Sequence, residues 1–249
     1  MKRAIFVAPF GELADPRVIA EFAAEAEATG WDGFFVWDHV TYAPPVRALA
    51  DAWITLSAVA CATTRLRIGP MVTPLSRRRV HKVARETASL DLLSSGRLTL
   101  GVGLGAHNTG ELGPFGEVTG PRERAALLDQ GLDALTRYWS GEFEPVPLQQ
   151  PRIPVWVAAI WPNRRPVQRA ARWDGLFPIS LPGPDALAEL VAEVRAARGD
   201  GPFDFAVDLP PGDDPARWLA AGATWLLTGF GRQPTQAQVR ETIAAGPGH

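Results

Sequence analysis

One rhythm constrains this chain more than any other feature. Eight times along its 249 residues, a short apolar run of strand type gives way to a stretch with helical periodicity. The clearest instance runs from Thr64 to Gly105: a strand, a loop with two prolines, an amphipathic helix, a turn, and a second strand ending in alternating glycines. The expected strands are Ile5–Pro9, Gly33–Trp37, Leu66–Met71, Leu98–Gly103, Val155–Ala159, Gly175–Pro178, Phe203–Leu209 and Thr224–Leu227. The helices expected after them are Pro16–Thr29, Asp51–Ala62, Arg77–Leu93, Pro121–Trp139, Arg164–Trp173, Pro184–Arg198, Pro215–Ala221 and Thr235–Ala245. Local chemistry supports the boundaries. Asp15 before Pro16 is a good N-cap, and Gly30 stops the first helix.

Near-continuous apolar strands belong to a parallel sheet covered on both faces. Right-handed crossovers wind such strands in one direction. Eight units in this length suit closure into a (β/α)8 barrel better than an open doubly wound sheet. No linker-like or repeated segment divides the chain, so residues 1–249 are expected to form one domain, with Gly141–Pro154 as a loop within it.

Composition narrows the function classes. Hydrophobic residues make up 46% and charged residues 21%, enough for a large core and against disorder. A net charge of -2 with a pI near 6.1 lacks the basic excess of a nucleic-acid binder. No run approaches the ~20 apolar residues of a membrane helix. The apolar run after the basic start is too short for a signal peptide. The lone Cys61 excludes a disulfide within the chain and fits a reducing compartment, so a cytoplasmic location is expected. Cys61 itself reads as a buried small hydrophobe. Arg77-Arg78-Arg79 reads as the solvated start of a helix, with an anion contact less favoured. Most of the nine tryptophans are expected to pack, and some to line a site for a flat ligand.

In a (β/α)8 barrel the chemistry sits at the C-terminal ends of the strands. The residues there are Pro9-Phe10, Asp38-His39, Val72-Thr73, Gly105 to Asn108, Ile160-Trp161, Ile179-Ser180, Pro210 and Thr228-Gly229. Asp38-His39 is the sharpest pair. A histidine at a barrel mouth can bind a ring or carbonyl and exchange a proton near neutrality, although it can equally only pack or cap a loop. Neighbouring residues on a strand end point to opposite sides, so Asp38 need not orient His39. The four histidines, His39, His81, His107 and His249, show no metal spacing, and neither a nucleophile elbow nor a P-loop occurs. Gly101, Gly103 and Gly105 alternate at a strand end with no helix opening behind them. They do not make a dinucleotide fingerprint, but they let a flat ligand approach the backbone. Tight barrel packing explains Gly101 well and Gly105 poorly. Phosphate anchoring would fall near helix N-termini, at Ala159–Asn163 and at Ile179–Ser180.

Longer stretches carry a family pattern. E-A-T-G-W-D-G-F-F-V-W-D-H, A-C-A-T-T-R-L-R-I-G-P-M-V-T-P-L and R-E-T-A-S-L-D-L-L-S-S-G-R-L-T-L-G-V-G-L-G occur in that order. They are followed by P-R-E-R-A-A-L-L-D-Q-G-L-D-A-L-T-R-Y-W-S-G, I-P-V-W-V-A and A-A-R-W-D-G-L-F-P. Over roughly residues 4–180 the chain resembles the bacterial luciferase-like family of flavin- or deazaflavin F420-dependent monooxygenases and reductases. The resemblance implies a barrel with the cofactor ring over the strand ends, and a bulge, often with a non-proline cis peptide, at Gly69–Thr73 beneath the ring.

The resemblance also implies roles. His39 would be the ring or substrate hydrogen-bond donor, with Asp38 beside it at the cofactor. Val72 and Thr73 would back the ring, and Gly105 would let it approach the backbone. Ala159, Ile160 and Ile179 would meet the phosphate or ribityl side. The Asp38-His39 pair favours F420 over FMN, and the family usually forms homodimers. F420-dependent sugar-phosphate dehydrogenases carry a glutamate acid after the glycines, where this chain has Ala106; that argues against their substrate and mechanism. The chain is also shorter than many members, so a more open site, or one completed by a partner subunit, is expected. The expectation is therefore hydride transfer or monooxygenation of a small organic substrate. A non-catalytic flavin- or F420-binding barrel is one alternative. A phosphosugar barrel enzyme with its phosphate at Thr228–Gly231 is the other.

Overall fold

The strand pairings close into a ring. In this computed structural model, which describes residues 1–106 and 109–248, the elements alternate along the chain. They are β1 Lys2–Val7, α1 Pro16–Ala28, β2 Gly33–Val36, α2 Ala52–Ala62, β3 Arg67–Pro70, β4 Thr73–Pro74, α3 Val80–Leu93, β5 Leu100–Gly103 and α4 Pro121–Arg137. The second half adds β6 Val155–Ile160, α5 Arg165–Ala170, β7 Gly175–Ile179, α6 Pro184–Arg198, β8 Asp204–Leu209, α7 Pro215–Ala220, β9 Trp225–Gly229 and α8 Gln236–Ala245.

The strands pair in parallel in the order β3-β2-β1-β9-β8-β7-β6-β5-β4. Segments β3 and β4 are the two halves of one barrel strand, interrupted at Met71-Val72. Ile68 of β3 bridges to Leu98, and the Thr99 amide donates to the Ile68 carbonyl at 2.8 Å, which closes the ring. Nine strand segments thus fill the eight positions of a (β/α)8 barrel, as the sequence rhythm requires. Ends differ by a few residues. The largest helix differences are three residues: α3 starts at Val80 because a 3₁₀ turn over Leu75–Arg77 precedes it, and α5 ends at Ala170.

The caps follow the local sequence. Asp15 accepts from the Arg17 amide, Asp51 from the Trp53 and Ile54 amides, and Thr235 with Gln238 forms a reciprocal capping box. Two apolar layers result. The outer one lies between strands and helices. The inner one fills the barrel with Phe6, Phe35, Met71, Trp156, Phe177 and Trp225 among others. The Trp156 and Trp225 rings meet edge to face at 5.4 Å between centroids. Each fully buried side chain of this size contributes about 2–3 kcal/mol relative to exposure. Gly101 serves this packing, because a side chain there would overlap the Pro70 carbonyl and the Met71 sulfur.

Two sequence expectations are corrected. Cys61 is exposed. The buried face of α2 is Ala52, Trp53, Thr55, Leu56, Val59 and Ala60, and Cys61 falls off it. Arg77 and Arg78 are not a solvated helix start. Their side chains are 4% and 17% exposed and turn toward the barrel mouth. Among the described residues, no helix is long and apolar enough to cross a membrane.

Candidate active site

The loop after β2 is stapled to the interrupted strand. Both Asp38 carboxylate oxygens receive Arg78 Nη2, at 2.8 and 2.9 Å, and Thr73 Oγ1 donates to Oδ2 at 2.7 Å. Arg77 donates to the Asp38 carbonyl at 2.9 Å. Asp38 is 2% exposed and Thr73 is fully buried. Neither side chain presents surface to a ligand. Both were expected at the cofactor; instead their polar atoms hold the Met71-Val72 bulge against the second barrel strand. The Met71-Val72 peptide is cis, in the segment where the family resemblance places one.

His39 is held by a residue the sequence reading missed. Its Nδ1 lies 2.8 Å from Oε2 of Glu111, in the loop after β5. Glu111 also accepts from the Val40 amide at 2.7 Å and from Thr109 Oγ1 at 2.8 Å. Burial pushes the Glu111 carboxyl up. The His39 hydrogen bond and charge, with the Val40 and Thr109 donors, outweigh it, and the net shift is downward. An ionised Glu111 assigns the hydrogen to Nδ1 of His39, so neutral His39 offers Nε2 as an acceptor and donates from it only when protonated. Phe10, Trp37 and Tyr42 surround the imidazole, with the Tyr42 ring edge-on at 4.8 Å.

Beside the aromatic cluster, β4, β5 and β6 bring small residues to the mouth. A Cβ on Gly103 would meet Val72 Cγ2 at 2.8 Å and Ala158 Cβ at 3.4 Å. Gly105 has φ 78°, and Arg124, reaching in from α4, holds the carbonyls of Leu104 and Gly105 at 2.8 and 2.9 Å. Val72, Gly103 and Ala158 make a flat apolar shelf, with Ile160 and Ile179 paired above it at the ends of β6 and β7. Ala159 is not part of it. Its side chain is 2% exposed and faces the helix layer, and Ala158 takes the inward position. A strand alternates faces, so an error of one residue inverts the assignment. Ile160 is 55% exposed at the rim.

Gly103 thus lets Val72 and Ala158 close over its backbone, and Gly105 does the same for Pro74. His107 and Asn108, also named from the sequence, lie outside the described residues, as does His249. Among the described residues there is no cluster of three or more His, Cys, Asp or Glu that could hold a metal.

The luciferase-like monooxygenase family model matches residues 3–245, and the chain belongs to that family. An uncharacterized protein of Mycobacterium tuberculosis (strain ATCC 25618 / H37Rv) is 32% identical over 250 residues, covering 85% of this chain and 86% of that protein. The phthiodiolone/phenolphthiodiolone dimycocerosates ketoreductase of the same strain is 25% identical, covering 88% of this chain and 63% of the longer ketoreductase. Among solved structures, an F420-dependent secondary alcohol dehydrogenase in complex with an F420-acetone adduct superposes with a TM-score of 0.80. The overlap covers 98% of both chains at 17% identity. That likeness establishes the shared fold.

Proposed function

We propose that this chain is an F420-dependent oxidoreductase acting on a small carbonyl or alcohol substrate. The observation that carries the reading is the small apolar surface of Val72, Gly103 and Ala158 at the mouth, with a nearby imidazole fixed by a buried carboxylate. Val72, Gly103 and Gly105 would hold the ring, with Ile160 and Ile179 along its outer edge. When bound, a deazaflavin supplies or accepts a hydride at one ring carbon. The protein's part is placement and dryness. Phe10, Trp37 and Tyr42 exclude water from one side of the cavity. His39, locked through Nδ1, presents Nε2 to the ring or to the substrate oxygen.

The named activities of two similar proteins, a ketoreductase and a secondary alcohol dehydrogenase, support a carbonyl or alcohol substrate. The Asp38-His39 pair favours F420 over FMN; the similar folds include proteins of both kinds. The phosphosugar reading loses support at Gly229, where a carboxyl group, that of Asp208, leans over the α-carbon within the segment a phosphate would use.

Titration of the purified protein with F420 and, separately, with FMN, followed by fluorescence, tests the proposal. Tight binding of F420 alone, with turnover of a ketone by its reduced form, is the expected result. Binding of FMN alone reassigns the cofactor, and binding of neither overturns the reading. F420 binding without turnover leaves the non-catalytic barrel.

A further inference from the structure

We infer that Asp208 is a catalytic acid–base residue, the group that exchanges a proton with the reacting oxygen of a carbonyl or alcohol substrate. This rests on the proposed oxidoreductase reading and adds a residue to it.

The placement is geometric. Along β8, Phe205, Val207 and Leu209 belong to the outer layer, while Ala206 belongs to the barrel interior. Asp208 shares the parity of Ala206, one step nearer the mouth. It pairs in register with Leu227 of β9, which is also interior. Its carboxyl leans over the bare α-carbon of Gly229, where a Cβ would collide with it. In the strand order, β8 is four places from β3 in one direction and four places from β4 in the other. Asp208 therefore projects from the wall diametrically opposite Met71-Val72, two strands from Ala158 of β6. A substrate held between the shelf and that wall meets it.

The carboxyl has no other evident use. Among the described residues it makes no hydrogen bond or ion pair, unlike Asp38, Glu111, Asp174 or Asp204. Neither flanking strand, β7 or β9, contains an ionisable residue. Lys2 and Arg3 of β1 lie at that strand's far end. In the loop after β8, Asp213 accepts from the Asp214 amide, and Asp214 caps α7 by accepting from the Ala216 amide. Elsewhere at the mouth, His39 is engaged with Glu111, and Arg232 stacks over Tyr42. Solvent reaches Asp208, yet the concave wall around it removes much of its hydration and raises its pKa to about 6. A carboxyl so placed can be neutral near the working pH and donate a proton. It also answers the absence of an acid at Ala106.

The step balances. In carbonyl reduction the carbonyl carbon receives a hydride from the reduced cofactor, which is oxidised, and the C=O π pair moves to oxygen. The Asp208 O–H bond breaks as the new substrate O–H bond forms. The resulting carboxylate regains its proton from solvent through the mouth. Alcohol oxidation runs the same transfers in reverse.

The test compares wild type with Asp208→Asn, which keeps shape but cannot transfer a proton, both loaded with F420. For ketone reduction, kcat is expected to fall about 100-fold, with KM changed less than threefold. Wild-type kcat should decline as pH rises through about 6, and the variant should lose that limb. Independently of turnover, infrared difference spectra should show a protonated-carboxyl band in wild type that titrates near pH 6 and is missing in the variant. An unchanged kcat, or no titrating band, overturns the role of Asp208 even if F420 binds and turns over. Failure of wild type to bind F420 or reduce any ketone overturns the oxidoreductase reading, and this role with it. Fluorescence titration of F420 into the variant guards against misfolding. The expected affinity is within threefold of wild type. Lost binding together with an unfolded circular dichroism spectrum shifts the test to Asp208→Ser, for which the same kcat loss and missing band are expected and wild-type kcat overturns the role.

Discussion

His39 Nδ1 stands 2.8 Å from Glu111 Oε2 although 72 residues separate the two in sequence. Glu111 is an all-acceptor group serving His39, the Val40 amide and the Thr109 hydroxyl, with the Arg77 guanidinium 3.4 Å from Oε1. Glutamine changes this set: with its carbonyl kept on the Val40 amide, its NH₂ faces His39 and Thr109 and forces the imidazole into the tautomer that accepts at Nδ1. Glu111→Gln is expected to lower kcat/KM at least tenfold through a misplaced imidazole, while F420 affinity changes little. Steady-state kinetics beside a binding titration checks this. Because its folded pKa is depressed, the stability Glu111 contributes is present above the unfolded carboxylate range and is lost only as pH falls through the lower folded value.

Asp38 is predicted to matter for stability first. Removing it strands Arg78 in a nearly buried position without a counter-charge, whereas Arg77 keeps Glu111 Oε1 at 3.4 Å. Breaking one side of such a buried pair costs about 3–5 kcal/mol. Asp38→Ala should therefore lower the urea midpoint by that equivalent, whereas a role confined to ligand contact would leave it unchanged.

The barrel was legible because it is written locally: each apolar run and each cap lies within a few residues of its partners. The site was legible only in part, for the opposite reason. His39 and Val72 could be named from their place at strand ends. Glu111 sits in the glycine-flanked G-E-L segment, and nothing nearby reveals that it turns back to His39. Arg77 and Arg78 looked like a surface charge run because their partner, Asp38, comes from another strand. Asp208 did leave a signal, since F-A-V-D-L places one acid inside an apolar strand with inward parity, and that was not read.

The opposite facing of Ala158 and Ala159 offers a paired test. Ala158→Leu should fill the shelf beside Gly103 and weaken F420 binding tenfold or more, with the unfolding midpoint nearly unchanged. Ala159→Leu should overpack the strand–helix layer and cost about 1–3 kcal/mol of stability, leaving cofactor affinity within threefold. Reversed results would mean that Ala159, not Ala158, meets the ring.

Asp208 should trade stability for chemistry. Its folded pKa, about 6, lies above the unfolded value of about 3.9. The sign follows from linkage: the favourable contribution is complete below the unfolded pKa and disappears as pH rises through about 6. Above that range the protein carries a desolvated carboxylate. A shift of this size would be worth about 3 kcal/mol in a sealed interior, but the side chain is open to solvent, and screening reduces the figure to about 1 kcal/mol. Asparagine bears no charge at any of these pH values. Asp208→Asn should therefore be more stable than wild type by about 1 kcal/mol at pH 7.5 and equal to it near pH 4, as read from urea midpoints across that range. A gap that does not change with pH, or a variant less stable at pH 7.5, would show that the barrel wall does not desolvate this carboxyl.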